Sequence, residues 1–94
     1  MAILSFKNKN TEAVANGRCP KGFPPRLVSV ARRKIMMIDA APALESLKVP
    51  PGNKLHSLSD DRKGQHAIWI NSQFRVCFRW TSAGPEDVEI VDYH

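Results

Sequence analysis

Cysteine is scarce in this sequence of 94 residues, which holds only Cys19 and Cys77. Cys77 stands among apolar residues of a strand-like segment and is interpreted as a small buried hydrophobe, so no disulfide framework is predicted. The three histidines, His56, His66 and His94, show none of the paired spacings that are typical of zinc ligands. The five glycines are scattered at turns and form no phosphate-binding loop. We therefore expect neither a metal site nor a bound cofactor.

Long apolar runs are missing as well. The start of the chain, MAILSFKNKN, has too few consecutive apolar residues for a signal peptide, and no stretch approaches membrane-spanning length. The elbow motif that carries a serine nucleophile is also missing. We expect a reduced, cytoplasmic protein that does not contact a membrane.

What is present is the composition of a basic globular protein. Hydrophobic residues make up 43% and charged residues 24% of the chain, which is typical of a folded domain. Its length allows one small domain, which we place at residues 1–94. The net charge of +5 favours a polyanionic partner, most simply nucleic acid. The alternative is that this charge contributes to solubility alone.

The first half of the chain predicts one strand and two helices. Residues 2–6 form a short apolar run that suits an edge strand. Asn10 or Thr11 then offers a helix cap, and Gly17 ends a helix of about two turns. Between residues 25 and 41, apolar side chains recur at helical spacing, with prolines before and after the segment. The longer of the two helices is therefore predicted there.

The outer face of that longer helix carries a run of three cations, Arg32, Arg33 and Lys34. Such a run is most simply the solvated face of an amphipathic helix. The functional alternative is a surface that binds ribosomal RNA phosphates or an acidic partner protein. One like-charged triplet does not decide between them.

The second half predicts four strands. A proline-rich connector at residues 49–53 leads into a short strand at 54–58, and a three-stranded meander occupies residues 64–94. The middle strand alternates between an apolar face, Phe74, Val76, Phe78 and Trp80, and a second face, Arg75, Cys77 and Arg79. The second face is expected to present two guanidinium groups to solvent. We predict an α+β fold with an antiparallel sheet of about four to five strands and helices packed on one face.

The residue types on and near this second face suit cleavage of RNA without a metal. The 2′-hydroxyl must lose a proton to attack phosphorus, the leaving 5′-oxygen must gain one, and the phosphorane charge must be stabilised. His56 and His94 are suited to the proton transfers, and Arg75 to the phosphate. The alternative is that these side chains, His66 included, are ordinary surface or half-buried residues of a basic binding domain.

The run LHSLSDDRKGQHAIWINSQFRVCFRW, followed by VEIVDYH, resembles the HigB toxins of bacterial type II toxin–antitoxin modules, within the RelE-like superfamily. The resemblance covers nearly the whole chain. It implies a ribosome-dependent endoribonuclease that cuts mRNA in the 30S A site of the 70S ribosome. It also implies a cognate HigA-like helix-turn-helix antitoxin, through which alone the toxin reaches operator DNA. The other function that stays open is a non-catalytic, basic RNA- or ribosome-binding growth inhibitor that a partner protein neutralises.

The resemblance also implies roles for individual residues. Its motif positions match His56, Arg75, Asp92, Tyr93 and His94. The two histidines would exchange protons, with acid and base unassigned, while Arg75 stabilises the phosphorane, Tyr93 stacks on or orients a base and Asp92 positions a histidine.

The phosphate-binding residues depart from the family pattern. Many family members carry a phosphate-binding lysine where this chain has Ser59. Arg62 or Lys63 is expected to supply the missing charge, and Lys54 and Arg79 are further RNA-binding candidates. Weak toxicity is the expected consequence.

Overall fold

Four strands are neighbours both along the chain and in space in the computed structural model, which describes residues 2–93. They pair antiparallel in the order β1 (His56–Ser57), β2 (Gln65–Trp69), β3 (Phe74–Thr81) and β4 (Gly84–Asp92). Two helices, α1 (Lys9–Ala15) and α2 (Val28–Ala40), pack on one face of this sheet. Short 3-10 turns occupy Pro25–Leu27, Leu44–Lys48, Pro51–Asn53 and Asp60–Arg62. The predicted α+β fold is confirmed, and none of the described helices is long and apolar enough to cross a membrane.

The segment expected to be an edge strand runs beside β4 but pairs with it through a single parallel bridge, between Phe6 and Val88. The amide of Leu4 donates to the carbonyl of Pro85 at 2.8 Å, and the amide of Lys7 donates to that of Val88 at 2.9 Å. Regular pairing is interrupted at Asp87, which has a φ of 53° and whose amide donates to the Ser5 hydroxyl oxygen at 2.9 Å. This segment also approaches the start of β4 closely. A Cβ at Gly84 would lie 2.6 Å from the carbonyl oxygen of Ala2, so only glycine fits there.

Helix α1 begins earlier than predicted. Its N-cap is Asn8, whose side-chain oxygen accepts a hydrogen bond from the Thr11 amide at 2.8 Å. Thr11 is buried, and its hydroxyl oxygen accepts a bond from the amide of Ile90 at 3.0 Å, which ties α1 to β4. The predicted caps at Asn10 and Thr11 were therefore wrong by two or three residues. Gly17 does follow the helix end, with a φ of 81°.

Helix α2 buries the predicted apolar stripe, with Ala31, Ile35 and Ile38 fully inaccessible. Its first predicted turn is instead the 3-10 turn Pro25–Leu27. The expectation for Lys34 was wrong: this side chain is 8% exposed, and its Nζ donates to Asn53 Oδ1 at 2.6 Å. Burial, with the neighbouring Arg33 charge, lowers the pKa of Lys34. The remaining arginines of the run stay exposed.

The connector before β1 is fixed by Asn53, which is fully buried. Besides accepting the Lys34 bond, its Nδ2 donates to the Leu47 carbonyl at 3.1 Å. We expect Asn53→Ala to lower the free energy of unfolding by about 3 kcal/mol, because a buried ammonium and a carbonyl lose their partner together. Urea unfolding measures this, with the exposed Asn10→Ala as the control. A loss below about 0.5 kcal/mol for Asn53→Ala would contradict this role.

Strand β3 has the bounds and the alternation that the sequence predicts. Phe74, Val76 and Phe78 lie in the core with both helices, and Trp80 packs against it. Strand β1 is shorter than predicted, at two residues. The register of β3 with β4 shifts between Cys77 and Arg79, at a bulge in β4 that includes the positive-φ residue Asp87. The opposite face of β3, with Arg75, Cys77 and Arg79, is directed away from the helices.

Candidate functional site

The sheet face away from the helices is called the site face below. Cross-strand register puts Ala67, Cys77 and Glu89 in one row across β2, β3 and β4, with His56 of β1 opposite Ala67. The next row holds Trp69, Arg75 and Val91. With the side chains that extend these rows, the site face comprises His56, Gln65, Ala67, Trp69, Arg75, Cys77, Arg79, Glu86, Glu89, Val91 and Tyr93.

Arg75 lies at the centre of the site face but is not presented to solvent as expected. It is only 9% exposed, because its guanidinium lies between two aromatic rings. The guanidinium carbon is 3.9 Å from the centroid of the Trp69 ring and 5.1 Å from that of Tyr93. Its Nη1 also donates to the carbonyl of Asn71 at 2.7 Å. Cation–π contact and this bond therefore hold a planar cation in one orientation.

Trp69 is a site residue that the sequence analysis missed. Besides Arg75, it contacts the Nζ of Lys54, which lies 4.2 Å from the ring centroid. Cations and rings consequently alternate along a row that runs from Lys54 through Trp69 and Arg75 to Tyr93. The available signal was the alternation of β2, which puts Trp69 on the side opposite Ile68. This row offers both phosphate-binding charge and surfaces on which bases can stack.

His56 stands on the edge strand β1 with an exposed side chain. Its Nδ1 is 2.8 Å from the carbonyl oxygen of Lys54. Because a carbonyl oxygen only accepts, Nδ1 carries the hydrogen in this contact. In the neutral ring the lone pair is then on Nε2, which is the form that a general base requires. His66, by contrast, pairs opposite Phe78 on the helix-facing side of the sheet. The two rings are stacked, with 6.3 Å between their centroids.

The side chains of Asp92 and Tyr93 lie on opposite faces of the sheet. Tyr93 is on the site face, 37% exposed, with its hydroxyl 3.9 Å from Cys77 Sγ. Desolvation raises the pKa of Tyr93, so its phenol stays protonated at neutral pH and can donate a hydrogen bond. Asp92 pairs opposite Phe74 on the other side, where its Oδ1 accepts from Gln73 Nε2 at 3.2 Å. His94 lies outside the described residues, so its predicted role stays a prediction.

Of the two loop cations expected to supply phosphate-binding charge, Arg62 is the one that reaches the site face. Its Nη1 donates to Glu89 Oε1 at 3.0 Å and to Gln65 Oε1 at 3.2 Å. The hydrogen bond to Glu89 raises the pKa of Arg62, which keeps the guanidinium charged. Lys63 is exposed in the same loop.

Arg79 lies farther along β3 on the site face. Its Nη1 approaches the Lys63 carbonyl at 3.5 Å, and a Cβ at Gly64 would lie 2.8 Å from that nitrogen. The guanidinium therefore lies against the backbone of the loop before β2. It remains a partly exposed cation at the end of the site face that is farther from Arg75.

Cys77 forms the floor of the site face and is fully buried, as its apolar neighbours in sequence predict. Desolvation raises the pKa of this thiol, so it stays neutral beside the two guanidinium groups. Within residues 2–93, no three side chains of His, Cys, Asp and Glu are grouped so that they could hold a metal ion. The cations on or beside the face are Lys54, Arg62, Arg75 and Arg79.

Comparison with known proteins agrees with this architecture. The model of the family described as the RelE-like toxin of type II toxin–antitoxin system HigB matches residues 4–94. The chain is similar to Toxin HigB-1 of Vibrio cholerae serotype O1, with 33% identity over 78 residues that cover 82% of each chain. In fold it is similar to a YoeB/ParE toxin from Agrobacterium tumefaciens, with a TM-score of 0.54 and 16% identity over 100% of this chain and 99% of the other.

Proposed function

The chain belongs to the HigB family of RelE-like toxins of type II toxin–antitoxin systems, and on that premise we propose that it is a ribosome-dependent endoribonuclease that cuts mRNA. Residues 1–94 act as one toxin domain. The observation that supports this most directly is the Arg75 guanidinium held between Trp69 and Tyr93, on the same face as His56, whose Nδ1 contacts a backbone carbonyl. A fixed cation beside a base is what transphosphorylation requires.

The proposed reaction needs no group from outside the chain. His56 Nε2 takes the proton of the 2′-hydroxyl, and the 2′-oxygen attacks the adjacent phosphorus. Arg75 stabilises the charge of the phosphorane. As the bond to the 5′-oxygen breaks, His94 gives that oxygen a proton, so the products are a 2′,3′-cyclic phosphate and a 5′-hydroxyl. β1 and β3 are two strands apart, about 10 Å between strand axes, and the scissile phosphate is proposed to lie between His56 and Arg75.

RNA binding is assigned to the remaining cations and rings of the site face. Trp69 and Tyr93 offer stacking surfaces on either side of Arg75. Lys54, Arg62, Lys63 and Arg79 bind backbone phosphates, so affinity falls as salt rises. Asp92, opposite Phe74 on the helix-facing side of the sheet, is assigned the positioning of a histidine. The net charge of +5 supports binding to the 30S A site of the 70S ribosome, and the toxin is proposed to act there, in the cytoplasm.

A toxin of a type II system has an antitoxin as its partner. We propose a HigA-like helix-turn-helix protein that neutralises this chain, and through which the complex reaches operator DNA. The toxin itself then contacts DNA only in that complex.

Mapping mRNA 5′ ends after induction of the toxin tests the proposed function. We expect new 5′-hydroxyl ends at codon-defined positions within translated regions, and none when translation initiation is blocked. A matched culture expressing His66→Gln should show the same ends, because His66 lies on the helix-facing side of the sheet. Growth arrest without new ends would instead identify a non-catalytic binder that occupies the ribosome.

A further inference from the structure

The side chain of Arg62 spans the site face. Its backbone lies in the 3-10 turn Asp60–Arg62 between β1 and β2, and its guanidinium reaches Glu89 on β4. β2 and β4 are two strands apart, about 10 Å between their axes. The row between them carries the small side chains of Ala67 and Cys77, both fully buried. The long side chain therefore crosses the face where no large neighbour obstructs it.

This position puts a second guanidinium in the row next to that of Arg75, because Glu89 pairs with Cys77 and Arg75 is two residues away on β3. Arg62 and Arg75 both act electrostatically on the Tyr93 hydroxyl and on the Cys77 thiol. A phosphate bound by Arg75 beside Tyr93 therefore also lies in the field of Arg62. Two guanidinium groups on one phosphate give more charge-assisted hydrogen bonds than Arg75 gives alone.

Glu89 is the acidic side chain that holds Arg62 there. Its Oε1 accepts from Arg62 Nη1 at 3.0 Å, and Gln65 Oε1 accepts from the same nitrogen at 3.2 Å. Among residues 2–93, both of these hydrogen bonds are donated by Nη1 of Arg62. The Nη2 and Nε groups of the same guanidinium are then available to donate to phosphate oxygens. Arg62 is otherwise a long, flexible side chain on a loop whose neighbours, Asp61 and Lys63, are exposed.

We propose that Glu89 is a positioning residue, which holds Arg62 over the site face as a second phosphate-binding guanidinium beside Arg75. The inference rests on the proposed function, since it concerns RNA bound at the same site. Glu89 acts through Arg62 and does not itself touch the phosphate. Its carboxylate repels RNA weakly, but it fixes the guanidinium before RNA arrives, so less side-chain freedom is lost on binding.

A double-mutant cycle on RNA binding tests this coupling. The probe is a 70S ribosome programmed with mRNA whose A-site codon carries 2′-O-methyl groups, which cannot be cut. The dissociation constant is measured at several salt concentrations for the wild type, Arg62→Gln, Glu89→Gln and the double variant. We expect Arg62→Gln to weaken binding about tenfold and to lower the salt slope by about 0.7. We expect Glu89→Gln to weaken binding to a similar degree, and the double variant to match Arg62→Gln alone.

Glu86→Gln is the matched control, because it removes the same charge from the same strand. Glu86 pairs in register with Arg79 and forms no ion pair with any residue in 2–93. This variant should bind as tightly as the wild type or slightly more tightly. Equal or tighter binding by Glu89→Gln, or losses that multiply in the double variant, would overturn the proposal.

Cleavage of unmodified mRNA is measured in parallel with the same four proteins. If the wild type binds the programmed ribosome but leaves no new ends, the proposed nuclease activity is wrong and the coupling between Glu89 and Arg62 is still decided by binding. If the wild type cuts mRNA but the coupling is absent, the nuclease stands and the role of Glu89 is wrong.

Discussion

Replacement of Arg75 by alanine should lower the rate of mRNA cleavage on the ribosome about 10²- to 10³-fold, the usual cost of removing one group that stabilises transition-state charge. Arg75→Lys should recover less than about tenfold of that loss. An ammonium keeps the charge but cannot lie flat between Trp69 and Tyr93, nor present two parallel donors to a phosphate. Single-turnover cleavage with saturating programmed ribosomes measures the effect, because it separates the chemical step from binding.

Arg79→Ala provides the contrast, since Arg79 lies on the same strand and the same face as Arg75. We expect it to raise KM several-fold by loss of one phosphate contact and to leave kcat within about twofold of the wild type. Urea unfolding of each variant reports any loss of packing at the nearly buried Arg75. Equal losses of kcat in Arg75→Ala and Arg79→Ala would contradict a specific role for Arg75.

The sequence predicts those parts of the fold that depend on local period. The alternation of β3 assigns Phe74, Val76 and Phe78 to the core and Arg75 to the other face without any knowledge of neighbouring strands. The same holds for the stripe of Ala31, Ile35 and Ile38 on α2. These assignments are robust because a slip of one residue would bury polar side chains.

Contacts between distant segments are the part that local patterns do not contain. Lys34 is buried because Asn53, nineteen positions later, accepts a hydrogen bond from its ammonium group. Arg62 is fixed by Glu89, twenty-seven positions later, and Trp69 meets Arg75 only because a tight turn sets the register of β2 and β3. The sequence therefore predicts which residue types face the site, but not that Arg75 is enclosed between rings and Arg62 anchored.

The resemblance identified site residues that physical patterns alone would have set aside, such as Tyr93 near the chain end. The structure adds a distinction within that group, because Asp92 and Tyr93 point to opposite faces of the sheet. It also assigns a tautomer to His56, through the contact of Nδ1 with the Lys54 carbonyl. The division of acid and base between the histidines, which the sequence left open, can therefore be tested directly.

Replacement of His56 by alanine should lower single-turnover cleavage about 10²- to 10⁴-fold, the range typical of one proton-transfer group. His94→Ala should produce a loss in the same range and abolish growth arrest. The two losses should differ in chemistry. An mRNA whose scissile 5′-oxygen is replaced by sulfur has a leaving group that needs no proton, so the general acid becomes dispensable and the general base does not.

With the sulfur-substituted mRNA, we expect His94→Ala to regain nearly wild-type rates and His56→Ala to stay slow. The opposite pattern would exchange the two roles, and full activity of both variants on ordinary mRNA would exclude the site altogether. The toxin is expressed without a tag next to His94, so that nothing is attached beside the proposed general acid. Added imidazole offers a second check. The His56 side chain is exposed, so a diffusible base can reach the 2′-hydroxyl in its place and restore part of the rate to His56→Ala. In this scheme the Lys54 carbonyl, which only accepts, keeps the hydrogen on His56 Nδ1. The lone pair on Nε2 is then available to take the proton of the 2′-hydroxyl.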